Sequence, residues 1–429
     1  MMLRAPHRRV HARIARACRS ASRRPIGRSP LVRGRGWLLG RSSGRSSGRS
    51  SAVLLGLVLA LVLGTPSRAS AQGTIQTYTY AEINGRPLEL DFWPAPAGAG
   101  PAPLIVWIHG GGWSSGQRVF PSFADRFAQA GFAQATIDYR LTSQAGQWGD
   151  ASVTWPAQAH DCKAAVRWLR ANAATLGIDP CAIIAWGFSA GGHLAAVLGT
   201  SNGNPFLEGT VGDFDQTSSD VQLAVAYSAA TDLLFLGPDV TDPPGSDIDH
   251  DHVRSPASQL LGSRQTGISV GQIREHLGDP QEPWPTLQHL AFSASPARLA
   301  QRADTNVPIF IAHGTDDRAV PVNQAHRLHD ALARAGTDAQ LRVLAGVGHG
   351  IPDSVAREVK LWIEARLDAL ACDDPLDLDG DGTLTVYDLL AFQNMLAAGD
   401  TRADHDRDGP LTVLDLLAYY MAMQASPAR

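Results

Sequence analysis

Cysteine is scarce in this chain, with four in 429 residues, and one of them, Cys18, falls in a leader expected to be removed. The remaining three, Cys162, Cys181 and Cys372, are an odd number. That excludes a disulfide framework and allows at most one internal pair. A long apolar run is missing too: the stretch Ala52–Gly64 has 13 residues, too few to span a bilayer comfortably. Acidic residues are absent from 1–71, which hold fifteen of the 37 bases. Beyond residue 71 the balance inverts, with 22 bases facing 41 acids and a net charge of −19. A body so acidic is a poor polyanion binder, which argues against a nucleic-acid partner.

The basic, acid-free arm reads as an export signal. Ala52–Gly64 supplies the apolar region and Ala69-Ser70-Ala71 the small-residue cleavage pattern, leaving Gln72 as the new N-terminus. The Arg/Ser/Gly-rich stretch before it is long for such a signal, as a misassigned start or a disordered leader would make it. Arg23-Arg24 offers a twin-arginine reading but sits far from the apolar run; an uncleaved anchor is the alternative for the whole segment. The expected product is secreted or cell-surface associated, with a leader at 1–71, a catalytic domain at 72–371 and a small module at 372–429.

From Thr74 onward, β-rich runs alternate with helical spacing, the pattern of an α/β fold with a mostly parallel sheet. Eight strands are expected at 75–81, 87–93, 104–109, 133–139, 182–188, 221–228, 307–312 and 340–345. The central ones, Leu104–Ile108 and Ala182–Trp186, are continuous apolar runs, as strands covered on both faces should be. The first two alternate and suit an antiparallel edge. Helices are expected at 157–173, 321–335 and 354–370. Two long stretches rich in Pro, Gly and Asp, 201–220 and 237–298, read as loops or a lid. Inside the second, Asp247-Ile-Asp-His-Asp-His252 has metal-ligand residue types but no organising spacing, and reads as a solvated acidic loop.

Gly187-Phe188-Ser189-Ala190-Gly191 follows one buried strand directly and opens a helix. A nucleophilic serine needs this context: a strained strand-to-helix turn exposes its Oγ, and small neighbours let the chain double back. The Ala190 amide then faces a developing oxyanion. His109-Gly110-Gly111-Gly112-Trp113 closes the strand 104–109. Backbone amides must approach a tetrahedral intermediate without a Cβ in the way, so Gly111 and Gly112 are the expected donors beside Ala190. His109 reads as structural.

A serine hydroxyl is a weak nucleophile and needs a histidine base held by a carboxylate, in the chain order Ser, acid, His for this turn. Strand 307–312 ends in His313-Gly-Thr-Asp316-Asp317, and strand 340–345 ends in Gly348-His349-Gly350. Ser189, Asp317 and His349 are the expected triad, with Asp316 the competitor for the acid. His193, behind the serine, is expected to pack or hydrogen-bond.

These segments, together with Trp155-Pro156-Ala157-Gln158, the helix carrying Asp161 and Lys163, Gly177-Ile178-Asp179-Pro180 and Ser255-Pro256, resemble the BD-FAE-type α/β-hydrolases near the hormone-sensitive-lipase group. The resemblance runs from Leu104 to about Leu370. It implies an α/β-hydrolase fold with an eight-stranded mostly parallel sheet, helices on both faces, and a carboxylesterase. Such enzymes often remove acetyl or feruloyl groups from plant polysaccharide and need no catalytic cofactor. Cys181 stands where the family usually has an acid, and 237–254 has no clear counterpart.

The tail changes character. Asp377, Asp379, Asp381, Thr383 and Asp388 fall at the oxygen-ligand positions of a twelve-residue calcium loop, and Asp404, Asp406, Asp408, Pro410 and Asp415 repeat them. At Pro410 only a backbone carbonyl is required. Two loops in one register predict two Ca2+ ions, and the pair resembles a type I dockerin, which implies a small all-α module and a cohesin-like partner. The positions that would face such a partner, Val386-Tyr387 and Val413-Leu414, are more apolar than is typical. Cys372 ends the last helix of the hydrolase region at the sheet edge where Cys181 begins a strand, so a Cys181–Cys372 disulfide is expected. An ester hydrolase is the leading reading; a serine peptidase of the same fold and a non-catalytic scaffold are the alternatives.

Overall fold

The computed structural model describes residues 73–96, 101–301, 306–367, 370, 378, 385–398, 403 and 410–425. The expected leader and Cys372 lie outside the described residues. So do the expected ligands Asp377, Asp379, Asp381, Thr383, Asp404, Asp406 and Asp408.

Eight strands form one sheet: β1 (Gln76–Ile83), β2 (Arg86–Trp93), β3 (Ala102–Ile108), β4 (Ala133–Ile137), β5 (Ile178–Phe188), β6 (Leu223–Tyr227), β7 (Ile309–Gly314) and β8 (Ala339–Leu344). Their order is β1-β2-β4-β3-β5-β6-β7-β8. The β1/β2 and β2/β4 pairs are antiparallel, and every later pair is parallel. This is the α/β-hydrolase fold.

Strand periodicity explains the two layers around the sheet. Alternate side chains point to opposite faces. Ile183 and Ala185 of β5, Ala224 and Ala226 of β6, and Ile309 and Ile311 of β7 therefore enter one core, with Val166 and Leu169 of the helix Ala157–Ala171, Leu194 of Ala190–Gly199, and Leu328 of Asn323–Arg334. Their neighbours Ile184, Trp186, Val225 and Phe310 enter a second core with Phe127, Val359 and Trp362. Trp186 is fully buried. It stacks on Phe123 at 4.8 Å and meets Phe127 and Tyr227 edge-on at 5.1 and 5.4 Å.

The stretch 237–298 is irregular up to residue 255, as expected, and departs from the expectation of loop or lid from residue 256 onward. It holds the helices Pro256–Leu260, Ser263–Thr266, Val270–Glu275, Trp284–Ser293 and Pro296–Leu299, and Leu260, Val270, Ile273, Leu287 and Ala291 are buried in the larger core. Each helix is too short to show a clear apolar stripe, and Gly262, Gly267 and Gly278 punctuate them at positive φ. The start signals are nonetheless local. Ser255 caps one helix with Pro256 in its first turn, and Ser269 with Gln272 forms a capping box on another.

The stretch 201–220 is a loop apart from one short helix, Pro205–Glu208, and is held by buried cations of the helix Ala157–Ala171. Lys163 Nζ donates to Glu208 Oε1 at 2.7 Å, Ser219 Oγ at 3.0 Å and the Ser201 carbonyl at 3.2 Å. Arg167 reaches Glu208 and the Val211 carbonyl, and Arg170 the Ser218 and Asp220 carbonyls. Burial alone would raise the Glu208 carboxyl; Lys163, Ser219 and Arg167 overcome it and hold the pKa below the usual carboxylate range. Cys162, on the same helix, is free and buried, whereas Cys181 is disulfide-bonded. No described helix is long and apolar enough to cross a membrane.

Near the C-terminus, the helices Val386–Ala397 and Val413–Ala425 share a small core in which Phe392 stacks on Tyr419 at 4.2 Å.

Trp186→Ala empties the best-filled position of the second core. A loss of about 3–5 kcal/mol in unfolding free energy is expected, measured as a lowered denaturant midpoint.

Candidate active site

The turn after β5 carries the strain that the serine motif implies. Ser189 has φ 57° and ψ −120°, a conformation costly for a residue with a Cβ. Its amide donates to the Tyr227 carbonyl at 2.8 Å, which pins the turn to β6. Close approach explains the second glycine of the motif: a Cβ on Gly191 would lie 2.0 Å from the Ile108 carbonyl oxygen. The helix Ala190–Gly199 can therefore start directly against the end of β3.

The structure brings Ser189, His349 and Asp317 together. His349 Nε2 lies 3.0 Å from Ser189 Oγ, and His349 Nδ1 lies 2.8 Å from Asp317 Oδ2. The other carboxylate oxygen accepts the amides of Ala319 and Val320 at 2.9 and 2.8 Å. Asp317 is buried. Burial would raise its pKa, but hydrogen bonds from His313, His349 and the Val320 amide outweigh it, so the carboxyl is held well below the usual carboxylate range. Asp316 is exposed and its Oδ1 accepts from Thr315 Oγ1 at 2.8 Å; it takes no part in this chain of contacts. Sequence reasoning missed His313. It is fully buried, with Nε2 2.9 Å from the Val320 carbonyl and 3.2 Å from Asp317 Oδ2.

The loop after β3 forms the facing wall. Gly111 has φ +108°, and a Cβ there would meet the Ser115 carbonyl oxygen at 2.1 Å. The Gly111 carbonyl is turned inward to accept the amides of Ser114 and Ser115 at 3.1 and 3.0 Å. Gly111, Gly112 and Ala190 border the same cavity as Ser189, and none of their three amides donates a hydrogen bond among the described residues. His109 points elsewhere: it stacks on Tyr139 at 4.3 Å and its Nδ1–H donates to the Gly110 carbonyl at 2.7 Å. Burial lowers its pKa, with the Gly110 carbonyl and Asp138 opposing.

His193 joins three segments. Its Nδ1 accepts from Trp113 Nε1 at 3.1 Å and its Nε2–H donates to the Ala294 carbonyl at 2.7 Å. The loop after β3, the serine helix and the helical insert thus meet on one imidazole. Complete burial pushes its pKa down to about 4, against the opposing pull of the Ala294 carbonyl.

The cavity above Ser189 has a volume of about 400 Å³. Leu236, Ile248, His250 and Pro256 line its far side; sequence reasoning passed over Leu236 and met Ile248 and His250 only within the acidic tract, with no place in the site. The tract Asp247–His252 is anchored, not freely solvated. Arg318, next to Asp317, pairs with Asp247 at 2.7 Å, and Arg274 pairs with Asp251 at 2.5 Å. Asp249 Oδ1 accepts the Asp251 amide at 3.2 Å.

The BD-FAE model matches residues 90–332, more than half of the chain. The chain belongs to the BD-FAE family. The matched span contains Ser189 and Asp317 and ends before His349. This BD-FAE chain is 27% identical over 255 residues to Esterase LipC of Mycobacterium tuberculosis (strain ATCC 25618 / H37Rv), covering 58% of this chain and 53% of that protein. It is 34% identical over 200 residues to Carboxylesterase NlhH of the same strain, covering 44% and 59%. Among solved structures, a truncated form of a carbohydrate esterase from gut microbiota aligns with a TM-score of 0.55 at 26% identity, covering 69% of this chain and 97% of that one. The chain spans about half the length of these curated relatives.

His193 yields a test of the site's framework. Its folded pKa lies below the unfolded value of about 6.5, so the unfolded state takes up the proton first as the pH falls. Stability is complete above pH 6.5 and falls toward pH 4, by roughly 3 kcal/mol from this group. Denaturant unfolding of His193→Gln should show a shallower decline over that window than the wild type.

Proposed function

We propose that this chain is a serine ester hydrolase acting on carboxylic esters, with acylated carbohydrate as its substrate class. The observation that carries the reading is the unbroken hydrogen-bonded path Ser189–His349–Asp317 opening onto the cavity. His349 takes the serine proton as Oγ attacks the ester carbonyl, and Asp317 holds the ring and stabilises the imidazolium. The amides of Gly111, Gly112 and Ala190 receive the oxyanion. The protonated imidazole then gives its proton to the departing alcohol, and water activated by the same ring releases the acid. Esterase relatives support the ester class, and likeness to a carbohydrate esterase supports the alcohol. Export through the 52–64 signal is part of the proposal, supported by the disulfide at Cys181.

For the C-terminal segment we propose a dockerin-like module with two structural calcium ions and a cohesin-like partner. Asp388 and Asp415, the last ligand position of each loop, are both fully buried. They share one geometry: Oδ2 of each accepts the amide three residues earlier, Thr385 at 2.7 Å and Thr412 at 2.8 Å. Buried carboxylates in an all-oxygen donor set fit a hard cation. Titration calorimetry of the full chain should show calcium binding that Asp377→Ala combined with Asp404→Ala abolishes; an unchanged heat would overturn the calcium assignment.

The enzyme should hydrolyse p-nitrophenyl acetate. Ser189→Ala should abolish turnover with unchanged circular dichroism, and Asp317→Asn should lower kcat by roughly 10⁴-fold. Asp316→Asn should change it less than about threefold, since its carboxylate stands outside the path. Cleavage of peptide amides faster than esters would replace this reading with a peptidase.

A further inference from the structure

Four polar side chains border the cavity above Ser189: Ser114, Ser189, His250 and His349. Ser189 and His349 bond each other. The Ser114 hydroxyl donates back to the Gly111 carbonyl at 3.4 Å. Neither Ser114 nor His250 has a task in the ester chemistry, and of the two only His250 is buried. It lies in a wall otherwise built from apolar groups such as Leu236, Ile248 and Val320.

Its hydrogen bonding determines which nitrogen is free. Ser246 Oγ donates to the Ile248 carbonyl at 2.9 Å or the Arg318 carbonyl at 3.0 Å. Its single hydrogen being committed, it can only accept from the ring. His250 Nε2 lies 3.4 Å from that oxygen, so Nε2 carries the proton and Nδ1 keeps its lone pair. Among the described residues Nδ1 has no hydrogen-bond partner. Burial holds the ring neutral, with Asp251, Asp249 and Asp317 opposing, which preserves that lone pair as an acceptor. A leucine would close the same wall but offer no acceptor, and Nδ1 is not among the unpartnered side-chain atoms sealed from solvent in the described residues, so it stays within reach of a ligand. The ring is also preorganised. The Asp247–Arg318 and Asp251–Arg274 pairs clamp the tract on both sides of it.

We propose that His250 is a specificity-determining residue whose Nδ1 accepts a hydrogen bond from a hydroxyl group carried by the ester substrate. The inference rests on the ester-hydrolase reading and names the substrate class more narrowly: hydroxyl-bearing esters over hydroxyl-free ones. A site that bonds a substrate hydroxyl rejects the analogue lacking it, because its own acceptor is then left unpaired.

The hydroxyl belongs to the alcohol or to the acyl group, and two matched pairs of esters separate these sources. Methyl 2-O-acetyl-xyloside against cyclohexyl acetate tests the alcohol; methyl ferulate against methyl 3,4-dimethoxycinnamate tests the acyl group. The readout is the ratio of kcat/KM within each pair, normalised to alkaline hydrolysis, for wild type, His250→Phe and His250→Asn. This ratio does not depend on the fraction of folded enzyme. The expected result is a wild-type preference for the hydroxylated member of one pair. That preference should fall about tenfold in His250→Phe and recover in part in His250→Asn, whose Oδ1 can stand in for Nδ1. An unchanged ratio in the variants overturns the proposal. So does a wild type without preference in either pair, whether or not the variants fold. Wild-type turnover of the hydroxyl-free members shows that the esterase reading survives that failure; turnover of none of the four esters removes both.

Discussion

The approach of the serine helix to the end of β3 is the constraint on which the rest of the active end depends. Gly191 packs with its Cα against the Ile108 carbonyl, at a distance that admits no side chain. This contact sets how far Ser189 stands from the loop that follows β3, and therefore how the amides of Gly111, Gly112 and Ala190 are placed about the cavity. The positive φ of Ser189 is the conformational cost of that approach. It persists because the surroundings leave the turn no alternative: the Ser189 amide is held by Tyr227, and Trp186 just before it is locked among aromatic rings.

Around this contact, buried polar groups act as rivets between segments distant in sequence. His193 couples Trp113 to Ala294. Arg140 grips Asp161 through its Nε and terminal nitrogen, at 2.9 and 2.8 Å, and fastens the helix Ala157–Ala171 to the end of β4. Lys163 and Arg167 do the same for Glu208. Each would be a liability if left unpaired in the core; paired, each restricts the packing to one arrangement.

Much of the fold was legible because strands covered on both faces show as uninterrupted apolar runs. Leu104–Ile108 and Ala182–Trp186 lie within β3 and β5, and the two alternating runs at 75–81 and 87–93 correspond to the antiparallel edge. The serine turn was legible because a strained backbone demands particular small residues in a fixed order. The far wall of the cavity was not. Leu236 and Pro256 flank, and Ile248 and His250 lie within, the stretch 237–254, where Asp, Pro and Gly dominate and neither the helical nor the strand period operates. Charge pairing organises that stretch: Asp247 finds Arg318 and Asp251 finds Arg274, partners 71 and 23 positions away. Such pairings leave no local trace. His313 was hidden for a similar reason, since its meaning comes from a bend that returns Asp317 and Val320 to it.

Arg318 stands immediately after Asp317, yet its side chain and carbonyl hold the tract that carries His250. The carboxylate that faces His349 and the anchor of the cavity's far wall are thus mounted on one short run of backbone. Divergence that lengthened or recharged the 237–254 tract to admit a new ester would tug on the peptide that orients the imidazole. Under the proposed reading, reshaping the far wall is therefore coupled to preserving the Ser189–His349–Asp317 path, and a foreign segment placed in this tract must bring its own partner for Arg318.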